Sequence, residues 1–289
     1  MQAFQRTWLT RSLAVSAARS ELHSSRLVWC TRKYVTAASH DGPVVSETNR
    51  AEATLKRFWK HVGLEKRDNS FAVTLDKRAI KTPSGNTLLL PENKRLLATL
   101  IADEWENQER LLQPHALPMT SLASRAIDAM GDDKTRSEVR AALLTYLDTD
   151  TICFHADDPP PVVELQEKYW LPLLDWVRST FEVEIKVFDS VLFHSQSDET
   201  KRKFDDVLAN LNPWELAAME RVTYTSKSFL IALALVKKHL TVEEAALAAQ
   251  VEVASQIQRW GEVEDSHDVD FHDIRRQLGS AACLMANVS

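Results

Sequence analysis

The chain has 289 residues, of which 44% are apolar, as expected for a globular protein of one large or two ordinary domains. Its six glycines are never close together and its three cysteines are isolated, which excludes the usual glycine-rich phosphate loops, a disulfide framework and a cysteine zinc cluster. The formal net charge is −6. Residues 1–40 contain six basic side chains and one acidic one, a net charge of +5, so the remaining residues carry a net charge of −11. A protein body this acidic is unsuited to binding nucleic acid or an anionic membrane.

Residues 1–40 predict a mitochondrial transit peptide. The segment is rich in Arg and Ser, nearly free of acidic residues, and spaced to give one apolar face. It lacks the long hydrophobic centre of a secretory signal. A disordered basic arm is the alternative interpretation. Because cleavage is predicted between Arg32 and His40, we expect the mature protein to work in the mitochondrial matrix.

Residues 47–117 predict a small α/β domain. Helices are expected at Glu47–His61 and Pro91–Glu109. The short runs between these helices are separated by turn sequences, and they predict antiparallel strands at Val62–Lys66, Ser70–Leu75, Arg78–Thr82 and Thr87–Leu90. Helices that cover one face of such a sheet give a two-layer domain. Two prolines within Gln113–Pro118 resist helix formation, so the domain boundary is placed at residue 117.

Residues 118–289 predict an all-α bundle. Helices are expected at Thr120–Met130, Lys134–Leu147, Val162–Phe181, Asp198–Leu211, Pro213–His239, Val242–Trp260 and Asp268–Ala286. An extended connection or short strand is expected at Glu182–Phe188. No apolar run reaches the length of a membrane span, so stable membrane insertion is not expected.

The stretch Thr241–Asp270 carries the predicted functional site. Thr241 and Glu244 form a capping box that begins a helix, and Gly261 ends it. Because residues 245–254 are almost free of polar side chains, this helix is expected to be central in the bundle. Glu252 is the one charge in that run, and a dense acidic segment follows Gly261.

Two interpretations of Glu252 are open from the residues alone. Gln256 and Arg259 follow it by four and seven positions, so they share its helix face and can satisfy its carboxylate. Glu252 is then either a neutralised carboxylate at the rim of the core or a site that meets a cationic group on another molecule. A metal site at His267 and His272 matches no established spacing, and negative charge at a helix N-terminus explains the neighbouring acids equally well.

Several separate stretches resemble one family in the right order. They are RFWK at 57–60, FAVTLDKRAIKTPSGNTLLLP at 71–91, ADEWENQ at 102–108, PMTSLASRAID at 118–128, YLDTDTICF at 146–154 and QIQRWGEVEDSHD at 256–268. On these residues the chain resembles the mitochondrial ATP synthase assembly factors, the chaperones for the alpha subunit of the catalytic head. The resemblance implies an α+β protein, with a small N-terminal antiparallel sheet and helices followed by an all-α orthogonal helical bundle.

The resemblance also implies binding without catalysis and without a cofactor. Such factors hold the newly imported alpha subunit until the beta subunit replaces them, and a free monomer is expected. An acidic residue in the late helix before the Trp-Gly pair matters in this family, and its match here is Glu252. The predicted partner-binding residues are Glu252, Gln256, Arg259, Trp260, Glu264 and Asp268.

Two functions of other classes remain open. One is a matrix enzyme with a site assembled from Asp150, His155, Glu252 and His267, which predicts turnover or metal binding. The other is a general holdase for apolar clients, which predicts many partners rather than one.

Overall fold

The computed structural model of the chain describes residues 56–189 and 195–287. The predicted transit peptide and residues 47–55 of the first predicted helix lie outside the described residues. Within the described part, four strands precede ten α-helices. The α+β prediction is confirmed.

The strands form one antiparallel sheet with β2 (Ser70–Leu75) at its centre. β1 (Val62–Arg67) pairs along the whole of β2, from Val62 opposite Leu75 to Arg67 opposite Ser70. The short strands β3 (Arg78–Ala79) and β4 (Leu89–Pro91) also pair with β2, and their registers occupy its two ends. The strand predicted at residues 62–66 is therefore present. The strands predicted at Arg78–Thr82 and Thr87–Leu90 are shorter than expected.

The helix predicted through His61 is wrong over residues 56–61, which are not helical. The Arg57 guanidinium donates to the carbonyls of Glu106 and Gln108, 2.8 and 2.5 Å away. The ring of Trp59 is buried 5.0 Å from that of Trp105. These contacts with residues almost fifty positions away override the local helical pattern, because they satisfy polar groups and bury an aromatic ring.

The ten helices begin and end within a few residues of the predicted positions, apart from the two breaks described below. They are α1 (Arg95–Glu106), α2 (Pro118–Asp128), α3 (Asp133–Thr145), α4 (Pro160–Phe181), α5 (Asp198–Ala209), α6 (Pro213–Ser226), α7 (Phe229–Val236), α8 (Val242–Ala249), α9 (Val251–Trp260) and α10 (Glu264–Met285). The segment predicted as a linker contains a short 3-10 turn, Pro114–Ala116, and Pro118 is the first residue of α2. Glu182 ends α4 with a φ of 52°, residues 183–187 form a connection without helix or strand, and Phe188 makes an isolated parallel bridge with Phe154.

The single helix predicted from Pro213 to His239 is wrong, because the chain breaks between α6 and α7. Lys227 has a φ of 57° and ends α6, and the Ser228 hydroxyl accepts from the amide of Ile231 to cap α7. The carboxylate of Asp150 accepts from the amide of Leu230 at 2.9 Å. A buried carboxylate at this point needs free helix N–H groups, which only a helix terminus supplies.

The helix predicted from Val242 to Trp260 is likewise two helices, separated at Gln250. Its capping box is confirmed, since Thr241 and Glu244 each accept from the other's amide. Gly261 ends α9 with a φ of +86°. The run predicted to be central, residues 245–254, is divided between the two helices. Ala245, Ala246 and Ala248 of α8 are buried, but only Val251 and Ser255 of α9 are, so the prediction is wrong for α9. Every residue of α7 is buried, and α7 occupies the centre instead.

One cluster of buried apolar side chains extends from Trp59 to Met285 and includes residues on both sides of position 117. Lys94, next to α1, is 4% exposed, and its ammonium donates to the carbonyls of Leu284 and Ala286 at the end of α10. The boundary predicted at residue 117 thus stays a prediction for a folding experiment. No helix among the described residues is long and apolar enough to cross a membrane.

Candidate functional site

The six residues predicted to bind a partner are all exposed to solvent. Helix α9 carries Glu252, Gln256, Arg259 and Trp260, and α10 carries the remaining two near its N-terminus, Glu264 and Asp268. The two helices are joined by the short loop at 261–263, so the six residues belong to one helical hairpin at the surface.

Glu252 is not neutralised by Arg259. The guanidinium carbon of Arg259 lies 4.9 Å from the centre of the Trp260 ring, a cation–π contact, and within the described part of the chain Glu252 has neither an ion pair nor a hydrogen bond. Gln256 also has no side-chain partner there. The structure therefore brings Arg259 and Trp260 into contact and leaves the carboxylate of Glu252 free in solvent.

Five further carboxylates lie within the nine residues 262–270. They belong to Glu262, Glu264, Asp265, Asp268 and Asp270. No Lys or Arg lies between positions 259 and 275, and none of the five forms an ion pair with a described residue. Two of them are in the first turn of α10, where the helix dipole favours negative charge. The other three have no such local explanation.

Large apolar side chains are exposed on the same hairpin. Exposed fractions are 71% for Trp260, 59% for Val263, 63% for Val269 and 45% for Phe271. These are four of the twelve large apolar side chains that are exposed in the described residues, and they fall within twelve positions of the sequence. Such a concentration is typical of an interaction surface. Val263, Val269 and Phe271 are not among the predicted partner-binding residues, although apolar side chains inside an acidic run are a sequence signal for such a surface.

An apolar groove of about 490 Å³ runs beside this surface, between α9 and α10. Leu247 of α8 and Leu165 and Tyr169 of α4 also line it. Ile257 of α9 and Phe271 of α10 line it from the two sides of the hairpin. No local sequence pattern predicts this groove, because it depends on how far two consecutive helices diverge.

The residues of the alternative enzyme site lie in different environments, and the half-buried His155 has its Nε2 3.1 Å from the carbonyl oxygen of Ile152. Asp150 is fully buried and accepts from the amides of Ile152 and Leu230, and burial raises the pKa of its carboxyl group to about 6. Glu252 lies in solvent, and His267 is occupied because its Nδ1 accepts from the amide of Val263 at 2.9 Å. The described residues contain no group of three or more side chains that could hold a metal ion.

Two of the motifs that carry the family resemblance hold the sheet region against the bundle. Glu104 accepts from the amides of Met119 and Thr120 and from the Thr120 hydroxyl, so it caps α2 from α1. Trp105 donates from its ring nitrogen to the same hydroxyl at 3.0 Å. Burial raises the pKa of the Glu104 carboxyl group. These motif residues therefore serve the fold and not the exposed surface.

Comparison with known proteins gives a consistent relationship. The family model described as ATP12 chaperone protein matches residues 56–178. The mitochondrial protein atp12 of Schizosaccharomyces pombe is 34% identical over 88% of this chain and 88% of its own length. The mitochondrial ATP12 of Saccharomyces cerevisiae is 30% identical over 82% and 86%.

A solved structure extends the relationship to the fold. The crystal structure of Atp12 from Paracoccus denitrificans superposes with a TM-score of 0.69 at 26% identity, over 81% of this chain and 98% of that one. The two relatives named above are mitochondrial proteins. The chain therefore belongs to the ATP12 chaperone family, which acts in the assembly of ATP synthase.

Proposed function

We propose that this protein is a chaperone of the mitochondrial matrix that binds the free alpha subunit of the ATP synthase catalytic head until the beta subunit replaces it. A subunit with a large obligate interface exposes apolar surface until its partner arrives. A chaperone that covers this surface prevents aggregation, and it must bind weakly enough to be displaced. Family membership and the resemblance of the motifs support this proposal.

The observation that carries the proposal is the α9–α10 hairpin, where exposed apolar side chains and unpaired carboxylates occur together. Apolar side chains such as Trp260 suit the apolar face of an unassembled subunit. Unpaired carboxylates such as Glu252 suit basic groups around that face and speed the encounter by electrostatic attraction. This combination supports a specific protein partner more than an enzymatic role.

Glu252 is proposed to meet a cationic group of the alpha subunit. Its carboxylate is exposed and unpaired in the described part of the chain, so a partner cation finds it without breaking an internal contact. For the same reason a substitution at this position should leave the fold intact. Charge reversal there tests the binding role separately from stability.

The test is rescue of ATP synthase assembly in cells that lack the endogenous factor. Glu252→Lys should abolish rescue while helical content and melting temperature stay at the wild-type values. Glu138→Lys, on the exposed surface of α3, is the matched control and should rescue fully, because its ion pair with Lys134 is solvent-exposed and worth little. A Glu252→Lys protein that rescues assembly, or one that unfolds, would contradict the role given to this residue.

The choice of partner is tested by capture from mitochondrial matrix extract. One dominant band identified as the alpha subunit is expected, and a broad set of clients would instead support the general holdase. Turnover of a metabolite by the purified protein would support the enzyme. Size-exclusion chromatography of the mature protein should show a monomer.

A further inference from the structure

The groove between α9 and α10 is bounded by helices that pack on different neighbours. Helix α9 packs on α4, whereas α10 packs on α6, α8 and α2. The two helices of the hairpin therefore diverge and leave an apolar space between them. Ala254, Ile257 and Phe271 line it, together with Leu165 and Tyr169 of α4.

The dimensions of the groove suit one face of a short helix. The lining residues of α9 run from Val251 to Gln258, and those of α10 run from His267 through Phe271 to Arg275 at intervals of four. At 1.5 Å per residue these walls are roughly 10–12 Å long, which corresponds to about two turns of an α-helix. Side chains spaced at i, i+3 and i+4 on an incoming helix would enter such a space together.

The walls also disfavour an extended peptide. A bound strand needs main-chain donors and acceptors from its receptor, but the backbone groups of α9 and α10 are used within the two helices. A helical segment brings its own satisfied backbone and needs only apolar contact. Shape and backbone chemistry therefore favour helix-in-groove binding.

Charge around the groove is polarised. Arg275 is neutralised by Glu243, with two contacts of 2.9 and 2.7 Å, and its guanidinium carbon lies 3.4 Å from the centre of the Phe271 ring. Lys168 has no carboxylate partner among the described residues and lies on the α4 wall. Glu262 lines the other end of the groove, where α9 joins α10, and Glu264 and Asp265 follow it in the first turn of α10. A segment with basic residues is therefore attracted to the junction of the hairpin and not to the α4 wall.

We propose that this groove binds an amphipathic helical segment of the alpha subunit, with a row of large apolar side chains between Ile257 and Phe271 and Lys or Arg side chains against the carboxylates that follow Gly261. This inference rests on the proposed function and adds the mode of recognition, the occupied groove and the end of the groove that attracts the basic side chains of the bound segment. Glu252 is not among the lining residues, so the groove and Glu252 are separable.

The proposal is tested first by filling and emptying the groove. Ala254→Trp places bulk inside it, and Phe271→Ala removes one wall from a side chain that is already 45% exposed. When the alpha subunit is co-expressed, each variant should recover at least tenfold less of it than the wild type. Ala141→Trp, at an exposed position of α3 outside the groove, is the matched control and should recover a normal amount. Melting temperatures identify a variant that fails to fold, in which case the other variant decides.

The second test identifies the bound segment. A photo-cross-linking amino acid at Gln258, an exposed residue of the groove, should capture a segment of the alpha subunit with apolar residues at i, i+3 or i+4 and neighbouring Lys or Arg. Capture of an acidic or extended segment, of another protein, or of residues 1–40 of this chain would overturn the proposal.

The two levels of the inference fail differently. If the wild-type protein recovers no alpha subunit, the proposed function fails and the groove assignment fails with it. If the wild type and both groove variants recover the alpha subunit equally, only the groove assignment fails.

Discussion

Replacing Lys94 by Met should lower the stability of the whole folded body. The Lys94 ammonium is nearly buried and donates to the carbonyl of Leu284 at 2.9 Å and to that of Ala286 at 3.3 Å. Methionine keeps a similar stem in the same space but cannot donate. The last carbonyls of α10 then lose a partner that no intrahelical bond can replace.

The size of the effect follows from burial. One buried carbonyl left without a donor costs about 1–3 kcal/mol, and a second, half-buried one costs less because water reaches it. Removing a charge that is costly to bury offsets part of this loss, since burial lowers the pKa of Lys94. A net loss of about 2–3 kcal/mol is expected, which corresponds to a fall in Tm of roughly 5–10 °C for a folded body of this size.

Differential scanning calorimetry of the mature protein measures this change. Lys60→Met, at an exposed lysine with no side-chain partner among the described residues, is the control and should shift the free energy of unfolding by less than about 0.5 kcal/mol. A Lys94→Met protein that melts within about 1 °C of the wild type would refute the reasoning, because the two carbonyls would then be satisfied by water.

Differential scanning calorimetry also tests the domain boundary predicted at residue 117. The Lys94 contacts join the start of α1 to the end of α10, and the apolar core is continuous across position 117. We therefore expect one transition that moves as a whole. Two separate transitions would show that residues 47–117 unfold independently of the bundle.

Two further predictions concern backbone conformation and pH. Gly261→Ala should destabilise the protein by about 1–3 kcal/mol and weaken partner binding, because residues with a side chain rarely adopt the φ of +86° found at this position. Gly279→Ala, within α10, should stabilise the protein by about 0.5–1 kcal/mol, because the added methyl group enters open space in a helix, where Gly is less favourable than Ala. Chemical denaturation compares the two variants. Because burial raises the pKa of the Asp150 carboxyl from 3.8 to about 6, its contribution to stability is greatest below pH 4 and is lost as the pH rises through 6. The free energy of unfolding of the wild type relative to Asp150→Asn should fall by about 2–3 kcal/mol between pH 4 and pH 7. An unchanged difference would mean that Asp150 does not titrate in this range.

Local sequence signals located most elements and some of their ends. The capping box of Thr241 and Glu244 and the terminal Gly261 are predicted correctly, because each depends on residues within one turn. The breaks at Lys227 and Gln250 are not. At the first break, a carboxylate from about eighty positions earlier binds the free amides of a new helix, and no local pattern reports that contact.

The candidate site divides in the same way. Its acidic and aromatic residues are visible in the stretch Thr241–Asp270, but the choice of the six residues from Glu252 to Asp268 depends on the resemblance to the family. Whether Glu252 is paired or free was open, since Arg259 at seven positions is close enough on a helix to neutralise it. The Arg259 side chain instead contacts Trp260, and the carboxylate is left in solvent.

The sequence by itself determined which region forms strands and which is all-α, which residues form the turns and helix caps, and the negative charge of the α9–α10 hairpin. These properties depend on residues that are neighbours in the sequence. Only the tertiary structure decided which helix is central and where the groove lies. Helix α7 is buried because other elements surround it, and the groove exists because α9 and α10 pack on different neighbours. Both properties depend on contacts between distant residues, which local patterns do not encode.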